Sequence, residues 1–558
     1  MNFPKCLTSS CKYVLIGIIL FTVISGGTLW FFIEQGVSPV EFSGGSSQFR
    51  DTTVQFARLV TENYFNEQPM QYPDELAIRG NWELNVTIYH QGEIKGEGKG
   101  KDSDTLLSLV LEEATLNAID NGSSYFSKEN IEDVRILISF PNQEFSFIEY
   151  NGEGKELIEN LVINRSLNKE LLLQKIEQGK EFLLRAVNKD EHGFYKKYDV
   201  LNDDFGDRLH TVYSASIIYT LLKIYDFDGD ERIMEGIPEW ADFMLSMQSK
   251  DRKVYGAFHY SYYYNTREKE PRFVVGTTAL SIFTLLDLYD RTGEDKYLTA
   301  AELGGDWLVT MQKDDGWMKP YKENKNGTWV YGTQKSLLYN GQVLSALSRL
   351  YGVTGDQKYY NTAEKIAQNF TEKVEREGCY LGDDYRSKNP ISSAWVIMSL
   401  MDFYKINTDD YYKNIILRCS SDILGRQQLD TNKLLYYGTW DDAYSTSGNG
   451  WLDEVMMEVY KFYQEHGVEG AGKYKEAAIR VTWWIIQNTY SAENTFFLKE
   501  PQKAIGGSVW NYKNLYVRTD SLCHAVNAYM GLVNEVEDSL LITVPEEPFD
   551  AVLGKMIR

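Results

Sequence analysis

Six stretches of the chain concentrate residue types that can transfer protons or hold charge. "DDFGDRLHTVYSA" carries Asp207, Arg208, His210 and Tyr213, and "EPRFVVGTT" carries Arg272. "WVYGTQKSLLYNGQ" carries Trp329, Lys335, Tyr339 and Asn340, with Trp317 and Lys319 upstream. "LGDDYRSKNP" supplies Asp383, Asp384 and Arg386. "YYGTWDDAYSTSGNGWLDE" supplies Trp440, Asp441, Asp442, Asn449, Trp451 and Asp453. "YVRTDSLCHAVNAY" supplies Arg518, Asp520 and His524. Carboxylates can act as general acid and base. Arginines can grip a carboxylate through two parallel hydrogen bonds. Indoles stack on apolar faces, and amides bond hydroxyls. Together these are the materials of a sugar site.

Each residue also has a plainer role. An Asp at a helix start, such as Asp441 or Asp520, caps the helix and is worth about 1 kcal/mol. A single His one turn into an apolar helix, such as His524, is commonly a packed core residue. Asp383-Asp384 and Asp441-Asp442 suit solvated turns. The functional reading rests on finding carboxylate, Arg, His and Trp at the same place in successive repeats.

Those repeats are the elements that must position the candidates. "LLKIYDFDGDERI" at 221–233 aligns with "LLDLYDRTGEDKY" at 285–297 and "LSRLYGVTGDQKY" at 347–359. Asp226, Asp228 and Asp230 alternate as in a calcium loop. Glu231 and Ile237, however, stand where that loop needs Gly and a bidentate Glu, so the stretch reads as a turn between helices and no metal is expected. Six units fit the pattern. First helices fall near 168–187, 230–248, 294–312, 356–375, 409–425 and 470–489. Second helices begin near Thr211, Gly276, Leu338, Ile391, Asn449 and Thr519. The second set is more uniformly apolar, as for an inner ring wrapped by an outer one.

A period of this length demands a repeat architecture. The sixfold pattern, with "QKDDGW" at 312–317 ending an outer helix, resembles the (α/α)6 barrel of six-hairpin glycosidases, polysaccharide lyases, sugar 2-epimerases and glucuronyl C5-epimerases. The expected fold is therefore mainly α, a toroid of six helical hairpins over 168–536. The resemblance implies that the loops entering the inner helices gather at one end of the barrel.

The resemblance leaves several chemistries open. A glycoside hydrolase, the leading expectation, would use two carboxylates, Asp207 or Asp441 with Asp520. A uronate lyase or C5-epimerase would use His210, Tyr339 or His524 as base, with Arg208 or Arg518 neutralising the carboxylate. A 2-epimerase would use a His210–His524 pair. Tyr213, Arg272, Trp317, Lys335, Asn340, Asp383, Asp384, Asp442, Trp451 and Asp453 are candidate substrate contacts. A toroid that only binds a glycan or a partner is the non-enzymatic alternative. No cofactor is expected.

Residues 51–150 read as a small α+β domain. "FARLV", "RGNWELNVTIYHQGEIKGEGKG" at 79–100 and "VRILIS" at 134–139 resemble an AMMECR-type domain. Lys95-Gly96-Glu97-Gly98 stands where that family carries R-G-C-I-G, so no thiol chemistry is implied. Residues 151–167 read as a connector and 537–558 as a C-terminal tail.

The uncharged run at 13–33 is long enough to cross a bilayer, with Lys5 and Lys12 before it and Glu34 after. The expectation is a signal anchor leaving residues 1–12 in the cytoplasm, followed by a linker at 34–50, with the rest outside. A cleaved signal peptide is the competing reading. Five N-x-S/T sequons, at Asn85, Asn121, Asn164, Asn326 and Asn369, permit glycosylation there. Three cysteines lie in the exported part, too few for a disulfide scaffold. The net charge of −23 argues against nucleic acid as a partner.

Overall fold

The computed structural model describes residues 46–543 except for 91–92, 129, 133, 141–144, 151–152, 159–160, 163–165, 431–435, 441–444, 492–494, 496–497, 512–513 and 536–541. The apolar run at 13–33 lies outside the described residues. Among the described residues no helix is long and apolar enough to cross a membrane. The chain forms two compact units, one mainly of residues up to Ile163 and one of Asn164–Thr495 with Lys499–Val544.

The first unit is an antiparallel sheet with two helices, α1 (Ser46–Asn66) and α2 (Leu107–Asn121). Its strands are β1 (Arg79–His90), β2 (Glu93–Leu106), β3 (Arg135–Phe140), β4 (Phe145–Tyr150), β5 (Glu153–Ile158) and β6 (Leu161–Val162), in the order β2-β1-β3-β4-β5-β6. Residues 151–167, expected to be a connector, thus contribute two strands to this sheet, and a third, Ser166–Leu167, pairs with Ile542–Thr543. The two runs in the sheet had too few consecutive apolar residues to stand out as strands by composition. The glycines of "GEGKG" serve packing. A Cβ on Gly98 would lie 2.0 Å from the Ala114 carbonyl oxygen, and one on Gly100 would lie 2.3 Å from that of Val110. The stripe lets α2 lie against the backbone of β2.

The second unit is a mainly helical toroid. Its outer helices are α3 (Lys169–Arg185), α5 (Glu231–Ser246), α7 (Asp295–Thr310), α9 (Gln357–Glu377), α11 (Asp410–Leu424) and α13 (Gly472–Gln487). They alternate with the inner helices α4 (Thr211–Asp228), α6 (Val275–Thr292), α8 (Leu337–Thr354), α10 (Pro390–Asn407), α12 (Thr446–Glu465) and α14 (Thr519–Glu535). Each inner helix packs on the next, and α14 packs on α4 to close the ring.

Three repeated devices set the geometry. First, the inner helices α4, α6 and α8 end in Gly229, Gly293 and Gly355, with φ of 73°, 67° and 68°. This is the left-handed conformation that glycine adopts without strain and that closes a helix C-terminus. Second, glutamines at outer-helix ends tie the following loop to the next outer helix. Gln312 donates to the Gly316 and Thr362 carbonyls, as Gln248 does to Gly256 and Ala300 and Gln427 to Gly438 and Ala477. Third, the fourth residue of five inner helices accepts from a backbone N–H of the incoming loop. The pairs are Ser214 with Phe194, Thr278 with Phe258, Asn340 with Met318, Ser393 with Leu381 and Asn449 with Trp440.

The aspartates of "YDFDGD" go to three different jobs. Asp226 pairs with Arg291, Asp228 holds Lys180 at 2.7 Å, and Asp230 caps α5 by accepting from the Arg232 N–H while also pairing with Lys180 at 2.9 Å. Asp228 and Asp230 share Lys180 while Asp226 turns to Arg291, so the three carboxylates are spent on cations of the chain itself.

Short strands sit at the inner-helix N-terminal end: β7 (Lys197–Tyr198), β8 (Arg208–His210), β9 (Ser261–Tyr263), β10 (Glu268–Lys269), β11 (Arg272–Val274), β12 (Tyr321–Lys325), β13 (Thr328–Tyr331), β14 (Val509–Asn511) and β15 (Asn514–Arg518). They form three small sheets, β10-β9-β8, β11-β12-β13 and β14-β15-β7. The second of these carries Arg272, and the first carries Arg208 and His210.

Candidate active site in the bore of the toroid

The inner helices enclose a cavity of about 1310 Å³. Its walls come from one face of each helix. On α12 that face is Ser447, Gly448, Trp451, Glu454, Glu458 and Lys461, spaced as one side of a helix must be. Six candidates from the sequence line this cavity: Tyr213, Arg386, Trp451, Arg518, Asp520 and His524.

Two clusters stand out. Near the inner-helix N-termini, Arg518 donates from Nε to Asp520 Oδ1 at 2.9 Å and from Nη2 to Asp520 Oδ2 at 2.5 Å. Nη2 also donates to the Tyr213 hydroxyl at 2.8 Å. Charge-assisted, bidentate bonds of this kind fix a guanidinium in place. One turn further along α14, His524 Nδ1 meets Glu454 Oε2 at 2.8 Å. Asn527 Nδ2 donates to Glu454 Oε1 at 3.0 Å, and Lys223 Nζ stands 3.6 Å from the same oxygen. Burial works against the Glu454 carboxylate, but the His524 bond and the Lys223 charge prevail and hold its pKa below the usual range. With Nδ1 engaged, Nε2 is the ring nitrogen of His524 left for a ligand.

Trp395 and Trp451 stack at 4.0 Å with their planes 15° apart, and Trp451 meets the His524 ring edge-to-face at 5.3 Å. Deeper in the bore, Arg349 donates to Asp402 Oδ2 at 2.9 Å. Burial disfavours the Asp402 carboxylate, yet Arg349 and Lys405 keep its pKa lowered.

The other candidates fall elsewhere. Asp207 is exposed, and none of its atoms lines the cavity. His210 is 4% exposed and sits between the Tyr213 and Tyr260 rings, with no partner at either nitrogen. Burial, then Arg208, Lys196 and Arg518, push its pKa down to about 3. It is therefore neutral, and no His210–His524 pair faces the cavity. Tyr339 packs edge-to-face on Tyr385 behind the wall. Asn340 is spent on the backbone of Met318 and Ser336. Asp383 and Asp384 accept from the Leu337 and Lys335 N–H groups and shape a turn. Trp317 and Lys335 line a separate pocket of about 190 Å³ with those two aspartates. Arg208 donates to the Tyr263 hydroxyl, and Arg272 lies over the Tyr321 ring at 4.6 Å. Asp453 is fully buried and accepts from Thr482 on α13, away from the bore. Burial raises its pKa well above the carboxylate range, against the Thr482 bond. Asp441 and Asp442 lie outside the described residues.

Sequence reasoning missed Glu454, Lys223, Arg349 and Trp395, because it searched loop ends rather than helix faces. Extending the period of α12 from Trp451 would have reached Glu454 and rejected Asp453.

No protein-family model and no curated protein sequence matches the chain. Solved structures do match its shape. The chain is similar to cellobiose 2-epimerase from Spirochaeta thermophila DSM 6192, with a TM-score of 0.51 and 14% identity over 66% of this chain and 96% of that one. It is similar to cellobiose 2-epimerase from Bacillus thermoamylovorans B4167, with a TM-score of 0.52 and 14% identity over 66% and 100%. It is also similar to a D-mannose isomerase, with a TM-score of 0.51 and 13% identity over 66% and 98%. At this identity the likeness establishes the fold, a toroid of the (α/α)6 type.

Proposed function

We propose that the chain is a carbohydrate-active enzyme that moves a proton at a sugar carbon, with His524 as acid–base and Glu454 as the group that orients it. The observation that carries this reading is the 2.8 Å Nδ1–Glu454 bond inside the bore. A carboxylate on one ring nitrogen fixes the tautomer and leaves the other to take a proton. The carbon would stand next to a carbonyl or a carboxylate, where loss of its proton sends the electron pair onto oxygen. Arg518, pinned by Asp520 and Tyr213, supplies the positive charge that such an oxygen needs. Trp395 and Trp451, stacked on each other and both lining the cavity, give it an apolar wall.

Hydrolysis by two carboxylates is favoured less by the described cavity. Both oxygens of Glu454, Asp520 and Asp402 already receive cations or N–H donors, and Glu458 holds the Lys461 ammonium at 2.8 Å. A general acid must instead hold its own proton at neutral pH. The structurally similar epimerases and isomerase act at sugar carbons, which agrees with this reading, although one fold hosts many reactions.

We propose further that the chain is a single-pass membrane protein with its toroid outside the cytoplasm and a glycan as its partner. The apolar run at 13–33 supports this. So does the Cys379–Cys419 disulfide, since such bonds persist chiefly in oxidising compartments. The N-terminal unit would then be an AMMECR-like accessory domain without thiol chemistry.

The test is product analysis. The full chain is incubated with reducing sugars, neutral oligosaccharides and uronic-acid oligosaccharides, and products are read by proton NMR. A stereoisomer or ketose of the starting sugar supports the proposal. New reducing ends would instead mean a hydrolase, and unsaturated signals a lyase.

A further inference from the structure

A layer of cations lies at the mouth of the bore with too few acids to balance it. Lys196, Arg208, Arg272 and Arg518 interleave with Tyr213, His210, Tyr260 and Tyr321. Lys196 Nζ stands 5.4 Å from the Tyr213 ring centre, and Arg518 lies 5.9 Å from the same ring. Arg272 is held between Tyr260 at 5.8 Å and Tyr321 at 4.6 Å. Its Nε is buried without a partner, and it makes no ion pair with any described carboxylate.

Lys196 has no described carboxylate partner either. Burial, then the charge of Arg518, lower its pKa against the opposing pull of Asp520. The nearby carboxylates are engaged: Asp520 by Arg518, Glu270 by Ser261 with Arg208 at 3.9 Å, and Glu323, opposite Arg272 on the next strand, by Lys325 at 2.8 Å. Two of the four cations, Arg272 and Lys196, are thus left without an ion pair in a chain whose net charge is −23.

The layer adjoins the cavity. Arg518 and Tyr213 line it directly. Arg272 acts electrostatically on Tyr385, which also lines it.

We infer that the mouth of the bore is an anion-recognition subsite for an acidic saccharide, with Arg272 and Lys196 as the uncommitted cations and Arg518 and Arg208 as anchored ones. The inference rests on the sugar-acting reading of the same cavity and narrows it to sugars bearing a carboxylate or an ester-linked anion. Planar guanidiniums suit both by paired N–H bonds. The tyrosine rings hold the side chains extended and limit water around them. An acidic protein needs such a local reversal of sign to admit an anion at all.

Titration calorimetry on the full chain tests this. The probes are oligoglucuronate and oligogalacturonate tetrasaccharides, their carboxyl-reduced neutral counterparts, and glucose 6-phosphate. An acidic probe should bind at least about ten-fold tighter than its neutral counterpart. The preference should shrink as salt rises from about 50 mM to about 500 mM. Arg272→Gln should remove most of it and Lys196→Gln part of it, the loss of affinity falling more on the acidic probes than on their neutral counterparts. Preference for the uronates identifies a carboxylate, and preference for the phosphate an ester anion.

Equal affinity for acidic and reduced probes overturns the inference. So does failure of every acidic probe to bind, or a preference that survives in the Arg272→Gln/Lys196→Gln double variant. The two proposals fail separately. Acidic-sugar binding with no turnover of any sugar removes the proton-transfer reading and leaves the subsite. Turnover of neutral sugars without charge preference does the reverse.

Discussion

Glu454 holds three groups at once: the His524 ring, the Asn527 amide and the Lys223 ammonium. If its role is to fix the imidazole, Glu454→Gln should lower kcat about 100-fold with KM nearly unchanged, since the amide cannot hold the imidazolium that forms. Steady-state kinetics on the responsive sugar read this directly. His210 gives a different signal. Its folded pKa of about 3 lies below the unfolded value, so the unfolded chain takes up a proton first as pH falls. The folded state therefore loses stability from about pH 6.5 down to about pH 3, at up to about 1.4 kcal/mol per pH unit. His210→Phe, which keeps an aromatic ring among Tyr213 and Tyr260, should flatten the fall in melting temperature between neutral pH and pH 4. An unchanged slope would mean that other groups carry the acid sensitivity.

At the scale of elements, the inner helices are aimed by their fourth residues. Asn449 accepts the buried Trp440 N–H and donates to the Ser445 carbonyl, and so sets the start of the helix that carries Trp451 and Glu454. Asn449→Ala leaves that N–H without an acceptor and should cost about 1–3 kcal/mol. Asn449→Ser should recover part of the loss, because Ser214 and Ser393 do the same work in sister hairpins. Thermal melts compare the two. The element pattern was largely legible in the sequence. The repeated turn after Tyr225, Tyr289 and Tyr351 placed the helices, because glycine at that turn is a conformational requirement. The inner faces were harder to read. Asp453 and Glu454 are neighbours in sequence yet lie on different faces of one helix, and only the helical period separates them. The strands at 153–158 and 161–162 were missed although Asn151-Gly152, a hairpin signal, precedes them.

At the scale of the whole molecule, Cys379–Cys419 ties the end of α9 to α11 across 40 residues of chain. Closing a loop of that length restricts the unfolded state and should be worth about 2–4 kcal/mol. A reductant, or a Cys379→Ala/Cys419→Ala pair, should lower the melting temperature accordingly. An unchanged melting temperature would mean that the thiols are not bridged in the native protein. The sequence could not reveal this bond, since three cysteines give three pairings and only the toroid brings these two to a Cα separation of 4.9 Å. The toroid also gathers the site: His524 on α14, Glu454 on α12 and Lys223 on α4 meet only when the ring is closed. The fold class could be read from repetition, while the catalytic face had to await that closure.

The central claim is that His524 moves a proton at a sugar carbon. The measurement that tests it most directly is solvent-deuterium incorporation, followed by NMR with the full chain in heavy water. The sugars are the same reducing and uronic-acid sugars as in the product analysis. The account predicts deuterium at a single sugar carbon without chain cleavage, abolished in His524→Gln while that variant still binds the sugar. Turnover with no deuterium in the sugar, or exchange that persists in His524→Gln, would contradict it.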